Sequence, residues 1–410
     1  MPKSVKKEKD IVVVPFDSLI SGNCTIMIKY WTKTVLLGLT IGLFSCGDDN
    51  ELSSTDSSTL IAISENFGSQ VPTSPAYGYQ EQSIPAYISK DNTRANPISD
   101  EGATLGRVLF YDKALSVDQS VACSSCHQQN SGFGDRDVLS QGINGLTGRH
   151  SMRLINSRFS DESQFFWDER AKTLEEQTTQ PIQDHAEMGF SGQDGDPDLN
   201  DLIDRLAALD YYQSLFTWTY GDPTITEDRI QQSIAQFIRS IQSFDSKYDQ
   251  GLSEVNDQRD PFTNFSELEN RGKQLFMDPP NRGGAGCDGC HRAPEFDIDP
   301  NSQSNGVVTV AGSPNAIDNS NTRSPSLRGL FNSDGQINGP LMHDGSFATL
   351  EAVVAHYNNI PDGIDGIDNR LRNQNLNLND EDMSAIVAFL KTLTGEDVYT
   401  NPMWSDPFTN

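Results

Sequence analysis

At 410 residues the chain exceeds the size at which single cores stop growing, so two domains and a targeting segment are expected. Apolar residues make up only 35%, against 32 glycines and 20 prolines, which points to a loop-rich protein held together by something besides aliphatic packing. A formal charge of −28 repels phosphate backbones and anionic headgroups, which excludes nucleic acid as a partner and favours a basic redox partner.

In chain order, residues 1–46 come first as an N-terminal extension and a lipoprotein-type signal peptide, with Met27 as the expected start. Lys29 and Lys33 precede an apolar run from Val35 to Phe44. That run is shorter than the ~20 residues a membrane helix needs but suits the ~7–15 of a signal-peptide core; a short buried helix is the plainer alternative. Leu43-Phe44-Ser45-Cys46 resembles a bacterial lipobox, which implies lipidation at Cys46 and an exported, periplasmic or cell-envelope protein anchored to a membrane by lipid. Residues 47–95 are expected to be a flexible tether, since the stretch from Gly47 to Thr59 is rich in Asp, Ser and Thr.

From there the chain reads as one design used twice. Gly106-Arg107-Val108-Leu109-Phe110 precedes a first CxxCH pentad, and Gly272-Lys273-Gln274-Leu275-Phe276 precedes a second. A capping box, Ser266 with Glu269, predicts that the second leading helix starts near Glu267. Each half closes on residues at helical spacing: Ile230, Ile234, Phe237, Ile238 and Ile241, then Met383, Ile386, Val387, Leu390 and Leu393. Gly395 is expected to stop the last helix. Alone, either stripe would be an ordinary core face; paired with the pentads they outline domains at 96–256 and 257–400. The Asn-, Ser-, Gly- and Pro-rich stretch from Asp297 to Asn321 reads as loop. The predicted fold is mainly α, two tandem cytochrome c-like haem domains with long loops and little β.

Cys24 and Cys46 are solitary, and the other cysteines are Cys123 and Cys126 before His127, and Cys287 and Cys290 before His291, so no structural disulfide is expected. In CxxCH two thiols one helical turn apart each take a haem vinyl group while the adjacent imidazole ligates iron. Zinc held by both pairs would leave two histidines at identical offsets unexplained, and no βαβ pattern supports a thioredoxin-like reading. Two covalently bound haem c groups are therefore expected. His150, His185, His343 and His356 are the remaining histidines, so a methionine, a tyrosine or an open position must be considered on the far sides of the irons.

Several motifs in order resemble bacterial dihaem cytochrome c peroxidases, including the MauG branch: Leu105–Ser116 (LGRVLFYDKALS), the two pentads, Phe165–Gln177 (FFWDERAKTLEEQ), Pro181–Gly189 (PIQDHAEMG), Leu341–Tyr357 (LMHDGSFATLEAVVAHY) and Ile386–Gly395 (IVAFLKTLTG). The resemblance spans Ala103 to Gly395 and implies that the first domain binds hydrogen peroxide while the second transfers electrons. It implies His127 and His291 as proximal ligands, Glu187 as the distal acid/base with Gln177 and Pro181 beside it, Met188 and His185 as packing or surface neighbours, and Trp167 as the inter-haem bridge. It places the far ligand of the second iron fourteen residues beyond His343, at Tyr357, with His356 as the rival. A tyrosinate there implies a low potential. In the loop from Ser140 to Arg149, Ile143 and Asn144 stand where some members hold a capping histidine, so the first iron is expected to be open at rest unless His150 swings in. The resemblance also implies a calcium ion on carbonyls of Asn338 and Pro340, although the matching asparagine position is His150, a poor calcium ligand. The implied activity is peroxide reduction with electrons from a cytochrome c or cupredoxin. The alternatives are MauG-like oxidation of a protein substrate or a non-catalytic dihaem electron carrier; a homodimer is the implied assembly.

Overall fold

The structure, a computed structural model, describes residues 57–161, 164–372 and 376–408. Cys24, the expected start at Met27, the signal-like run, Cys46 and the beginning of the expected tether lie outside these residues. Eleven α-helices are described: α1 Ser57–Phe67, α2 Asp100–Tyr111, α3 Cys123–Cys126, α4 Leu174–Thr179, α5 Leu199–Ala207, α6 Asp210–Tyr220, α7 Glu227–Ser240, α8 Lys247–Ser253, α9 Glu267–Met277, α10 Leu350–Asn358 and α11 Asp380–Lys391. Strand is confined to two small antiparallel pairs, β1 His291–Arg292 with β2 Asp297–Ile298, and β3 Thr309–Val310 with β4 Ser313–Ile317. The fold is mainly helical, as expected. No helix among the described residues is long and apolar enough to cross a membrane.

The internal repeat is physical. Helix α2 packs on α7, and α9 on α11. A Cβ at Gly106 would fall on the carbonyl of Ser233 and against Phe237; one at Gly272 would fall on the carbonyl of Ala385 and against Phe389. Each leading helix thus needs glycine at the crossing because the closing helix's backbone occupies the side-chain space. Ser266 accepts from the Glu269 amide in a capping box, so α9 starts at Glu267 as predicted. Gly395 plays a different part from the one expected. Helix α11 ends at Lys391, and a Cβ at Gly395 would strike Asp245, whose carboxylate accepts the amides of Glu396 (2.8 Å) and Asp397 (2.9 Å).

Two apolar cores follow from the two helix pairs. The first gathers α1, α2, α6 and α7; the second gathers α8, α9 and α11, with Tyr248, Phe276 and Phe389 fully buried. The cores part between Ile241 and Tyr248, ahead of residue 256, because Tyr248 and Leu252 of α8 pack into the second. Beyond α11 the chain returns to the first core, where Trp404 Nε1 donates to Ser240 Oγ (3.2 Å) and Trp404 O accepts from Tyr111 Oη (2.7 Å).

The expectation of a tether as far as residue 95 is corrected. Ile63, Phe67, Val71 and Tyr79 are buried in the first core, Tyr87 Oη donates to Asp249 Oδ1 (2.7 Å), and Lys90 Nζ pairs with Asp297 (2.6 Å). The polar composition ahead of α1 masked the helical spacing of Ile63 and Phe67, and residues 57–95 form a strap across both lobes.

Candidate haem-binding and peroxide site

The first pentad opens into a cavity of about 640 Å³, part of it open to solvent. Helix α3 presents Cys123 and Cys126, and Ser125 Oγ accepts from the Ala122 amide (3.0 Å) to fix its first turn. His127 follows with its amide on the Cys123 carbonyl (2.9 Å). Its Nδ1–H donates to the carbonyl of Phe133 (3.0 Å), which leaves the Nε2 lone pair as the ligating atom of the ring. Desolvation holds the imidazole below its ordinary pKa, hence neutral, and pushes the Cys123 thiol up to about 12 and Cys126 to about 11. Thiols held protonated are poorly suited to redox exchange.

Glu187, Gln177 and Pro181 converge on this cavity together with Thr178, Met188, Ile234 and Ile238. Helix α4, capped by Thr173 Oγ on the Glu176 amide (3.0 Å), carries Gln177. The Glu187 segment is bound to the loop that follows the pentad: Ile143 N donates to Glu187 O (3.0 Å), Asn144 N to Ala186 O (3.2 Å) and Asn144 Nδ2 to His185 O (2.9 Å). Gly142 permits this approach, because a Cβ there would meet the Ala186 carbonyl. Desolvation and then the neighbouring Asp184 charge push the Glu187 carboxyl up to about 7, against the pull of Arg170. A carboxyl at that value takes and returns a proton near neutrality. Met188 is buried in the wall, and exposed His185 pairs with Asp196 (2.6 Å).

The second pentad lines a larger cleft of about 1520 Å³, part of it open to solvent, walled by Phe276, Leu330, Leu350, Val354, Ile386 and Leu390. Nδ1 of His291 is buried with no hydrogen-bond partner among the described residues. Desolvation and then the charge of Arg370 push this imidazole down to about 4. Tyr357 of α10 lines the same cleft, and its Oη accepts from Asn305 Nδ2 (3.2 Å). His356 does not line it: its Nε2–H donates to the Asn305 carbonyl (2.9 Å) and its ring packs on Phe347. Desolvation pushes the Tyr357 phenol up to about 12. Asn305 went unnoticed in the sequence, one asparagine in an asparagine-rich loop.

Trp167 is 9% exposed and lines the second cleft. Its Nε1 donates to the His150 carbonyl (2.7 Å), its ring meets that of His343 edge-on (6.2 Å), and its own carbonyl accepts from Thr322 N (2.9 Å). His150 is held at its amide by the His343 carbonyl (2.7 Å) and at Nδ1 by the Asp137 carbonyl (3.0 Å), and it lines the second cleft rather than the first cavity.

These residues fit haem. Each cavity joins two unbridged thiols to a neutral imidazole beside an apolar wall, and the pentads open into separate cavities. Among the described residues no cluster of three or more His, Cys, Asp and Glu is placed to hold a metal ion. Calcium does not fit. The Asn338 carbonyl accepts from the Arg153 guanidinium (3.3 Å), and His150 offers imidazole nitrogens, one of them bonded to Asp137 O, where calcium takes oxygen.

Residues 100–257 match the family model described as di-haem cytochrome c peroxidase. The methylamine utilization protein MauG of Methylophilus methylotrophus is 31% identical over 345 residues, covering 82% of this chain and 93% of that protein. The cytochrome c551 peroxidase of Nitrosomonas europaea is 30% identical over 313 residues, covering 73% and 82%. Among solved structures, a MauG-like protein associated with microbial copper homeostasis superimposes with a TM-score of 0.63 at 28% identity, covering 80% of this chain and 99% of that one.

Proposed function

Because this chain belongs to the di-haem cytochrome c peroxidase family, we propose that it reduces hydrogen peroxide to water with electrons from a small redox protein. The observation that carries this reading is Glu187, a carboxyl raised to about 7 in the cavity of the first CxxCH. When bound, haem at His127 supplies the iron at which peroxide is cleaved, and haem at His291 supplies an electron store. Glu187 takes the proton from one peroxide oxygen and delivers it to the other, so that one oxygen leaves as water; two electrons and two protons complete the second. Gln177 offers an amide to orient the peroxide, while Pro181, Ile234 and Ile238 keep bulk water from the same wall. Trp167, hydrogen-bonded to His150 and packed on His343, is the bridge for electrons between the lobes.

The test is steady-state peroxide turnover with a reduced cytochrome c, comparing the holoprotein with Glu187→Gln. The variant is expected to lose about 10²–10⁴-fold. Unchanged turnover would remove Glu187 from the mechanism, and no turnover in either protein would favour an electron carrier. Tyr357 favours a second reading, MauG-like oxidation of a partner protein, because an anionic oxygen donor stabilises oxidised iron. Peroxide-driven modification of a partner without any small donor would reveal it. The Lys29–Cys46 pattern supports export with a lipid on Cys46; failure of Cys46→Ala to lose labelling by a fatty acid would refute the anchor.

A further inference from the structure

Arg153 is a buried cation, 8% exposed, at the edge of the second pentad's cleft, with no protein carboxylate as partner among the described residues. Its hydrogen bonds go to two backbone carbonyls of the second lobe, Nη1 to Asn338 O and Nη2 to Ser326 O, both at 3.3 Å, and its Nε has no partner among the described residues. Its stem comes from the first lobe, where a Cβ at Gly134 would meet Arg153 Cγ, next to the Phe133 carbonyl that holds His127. The guanidinium therefore spans the seam between the lobes.

Carbonyl oxygens gathered without a carboxylate are what a hard cation takes in part. A guanidinium has five N–H donors and no acceptor, so it satisfies the same oxygens from inside the chain. A divalent ion brought beside it would be repelled by a like charge in a poorly screened seam. The adjacent candidate is a poor one: His150 offers ring nitrogens where calcium takes oxygen, its Nδ1 donates to Asp137 O, and its carbonyl accepts from Trp167. Although desolvation brings Arg153 down to about 10, it remains protonated at neutral pH.

We propose that Arg153 is the resident cation of this seam, clamping Asn338 and Ser326 of the second lobe to the first, so that the two lobes are coupled without calcium. The Asn338 carbonyl assigned to calcium by resemblance is the one the guanidinium takes. The inference is independent of the peroxide reading, since its test measures metal content and unfolding.

Holoprotein dialysed against EGTA is assayed for calcium by elemental analysis, then for its thermal midpoint and optical spectra with and without millimolar calcium chloride. The expected result is calcium far below one per chain and no change in either readout. Arg153→Gln is expected to lower the thermal midpoint, whereas Arg153→Lys keeps it near the wild-type value. The double variant His150→Asn with Arg153→Gln, which removes the charge and restores an oxygen ligand, is expected to gain a saturable calcium-dependent rise in midpoint. Stoichiometric calcium in the dialysed wild type, or a calcium-reversible change on chelation, overturns the proposal. So does Arg153→Gln unfolding at the wild-type temperature. Should Arg153→Gln fail to fold, the wild-type metal assay and the lysine variant still decide.

Discussion

The two CxxCH sites share a covalent design and differ in how each imidazole is held. His127 gives its Nδ1 proton to the Phe133 carbonyl, whereas His291 Nδ1 is buried with no partner among the described residues. An imidazole hydrogen-bonded at Nδ1 is both oriented and made a stronger donor through Nε2. The first site thus has its histidine held by a hydrogen bond and, on the proposed reading, leaves proton transfer to Glu187 in the same cavity. The second has its hydrogen bond at Tyr357, the proposed far ligand, whose Oη accepts from Asn305. One scaffold, repeated, has been specialised by the partners of its histidines and by what faces them.

Crossed variants give the largest expected effects. Glu187→Gln should cut peroxide turnover about 10²–10⁴-fold while leaving the spectrum of the second iron unchanged. Tyr357→Phe should do the converse, altering the second iron's spectrum and raising its potential while peroxide still binds at the first site. If Tyr357→Phe leaves the second iron's spectrum untouched, the tyrosine is not its ligand and the contrast between the sites fails.

What the sites share is equally open to attack. Gly106→Ala and Gly272→Ala each push a methyl into a carbonyl of the closing helix, at Ser233 and Ala385. Each is expected to cost at least the ~1–3 kcal/mol of an overpacked core, by similar amounts, measured as chemical denaturation midpoints. A large cost at one glycine and none at the other would break the equivalence of the two helix pairs.

This equivalence was legible in the sequence because it is local: the glycine, the stripe and the pentad recur at short spacing, and Ser266 with Glu269 announced the start of α9. The distal set was legible through motif order, and Glu187, Gln177 and Pro181 do meet in one cavity. What escaped depends on contacts between distant residues. Residues 57–95 read as tether because their anchors, such as Asp249 for Tyr87 and Asp297 for Lys90, lie far along the chain. Gly395 read as a helix stop, but its constraint is the Asp245 carboxylate. Asn305 and Arg153 carry no motif, and only the packing of distant segments gives them partners.

The raised carboxyl at Glu187 predicts a trade of stability for function. Its pKa stands at about 7 against an ordinary 4.5, so the folded state binds this proton more tightly than the unfolded state. The resulting cost of folding is absent below about 4.5, grows as pH rises and is complete above about 7, on the order of 3 kcal/mol. Glu187→Gln should therefore gain stability relative to wild type between pH 4.5 and 8, seen as thermal midpoints that diverge with rising pH. Acting as the base, Glu187 must be ionised, so kcat/KM for peroxide should fall about tenfold per pH unit below about 7. Midpoints that keep a constant gap across this range would mean that the carboxyl is not perturbed.

The smallest expected effect is at Asn305, whose amide donates to Tyr357 Oη at 3.2 Å. If Tyr357 is the ligand as proposed, a donor on its phenolic oxygen would draw electron density from the bond to iron, so its loss would leave a stronger anionic ligand that favours the oxidised state. One hydrogen bond of about 1 kcal/mol corresponds to roughly 40 mV in a one-electron couple. Asn305→Ala should therefore lower the potential of the second iron by tens of millivolts and leave the first unshifted, as read by spectroelectrochemical titration of both. His356 gives the internal control, since it bonds the backbone carbonyl of Asn305, which the substitution retains. A shift at the first iron of equal size would show that Asn305 acts through the fold as a whole rather than through the tyrosine.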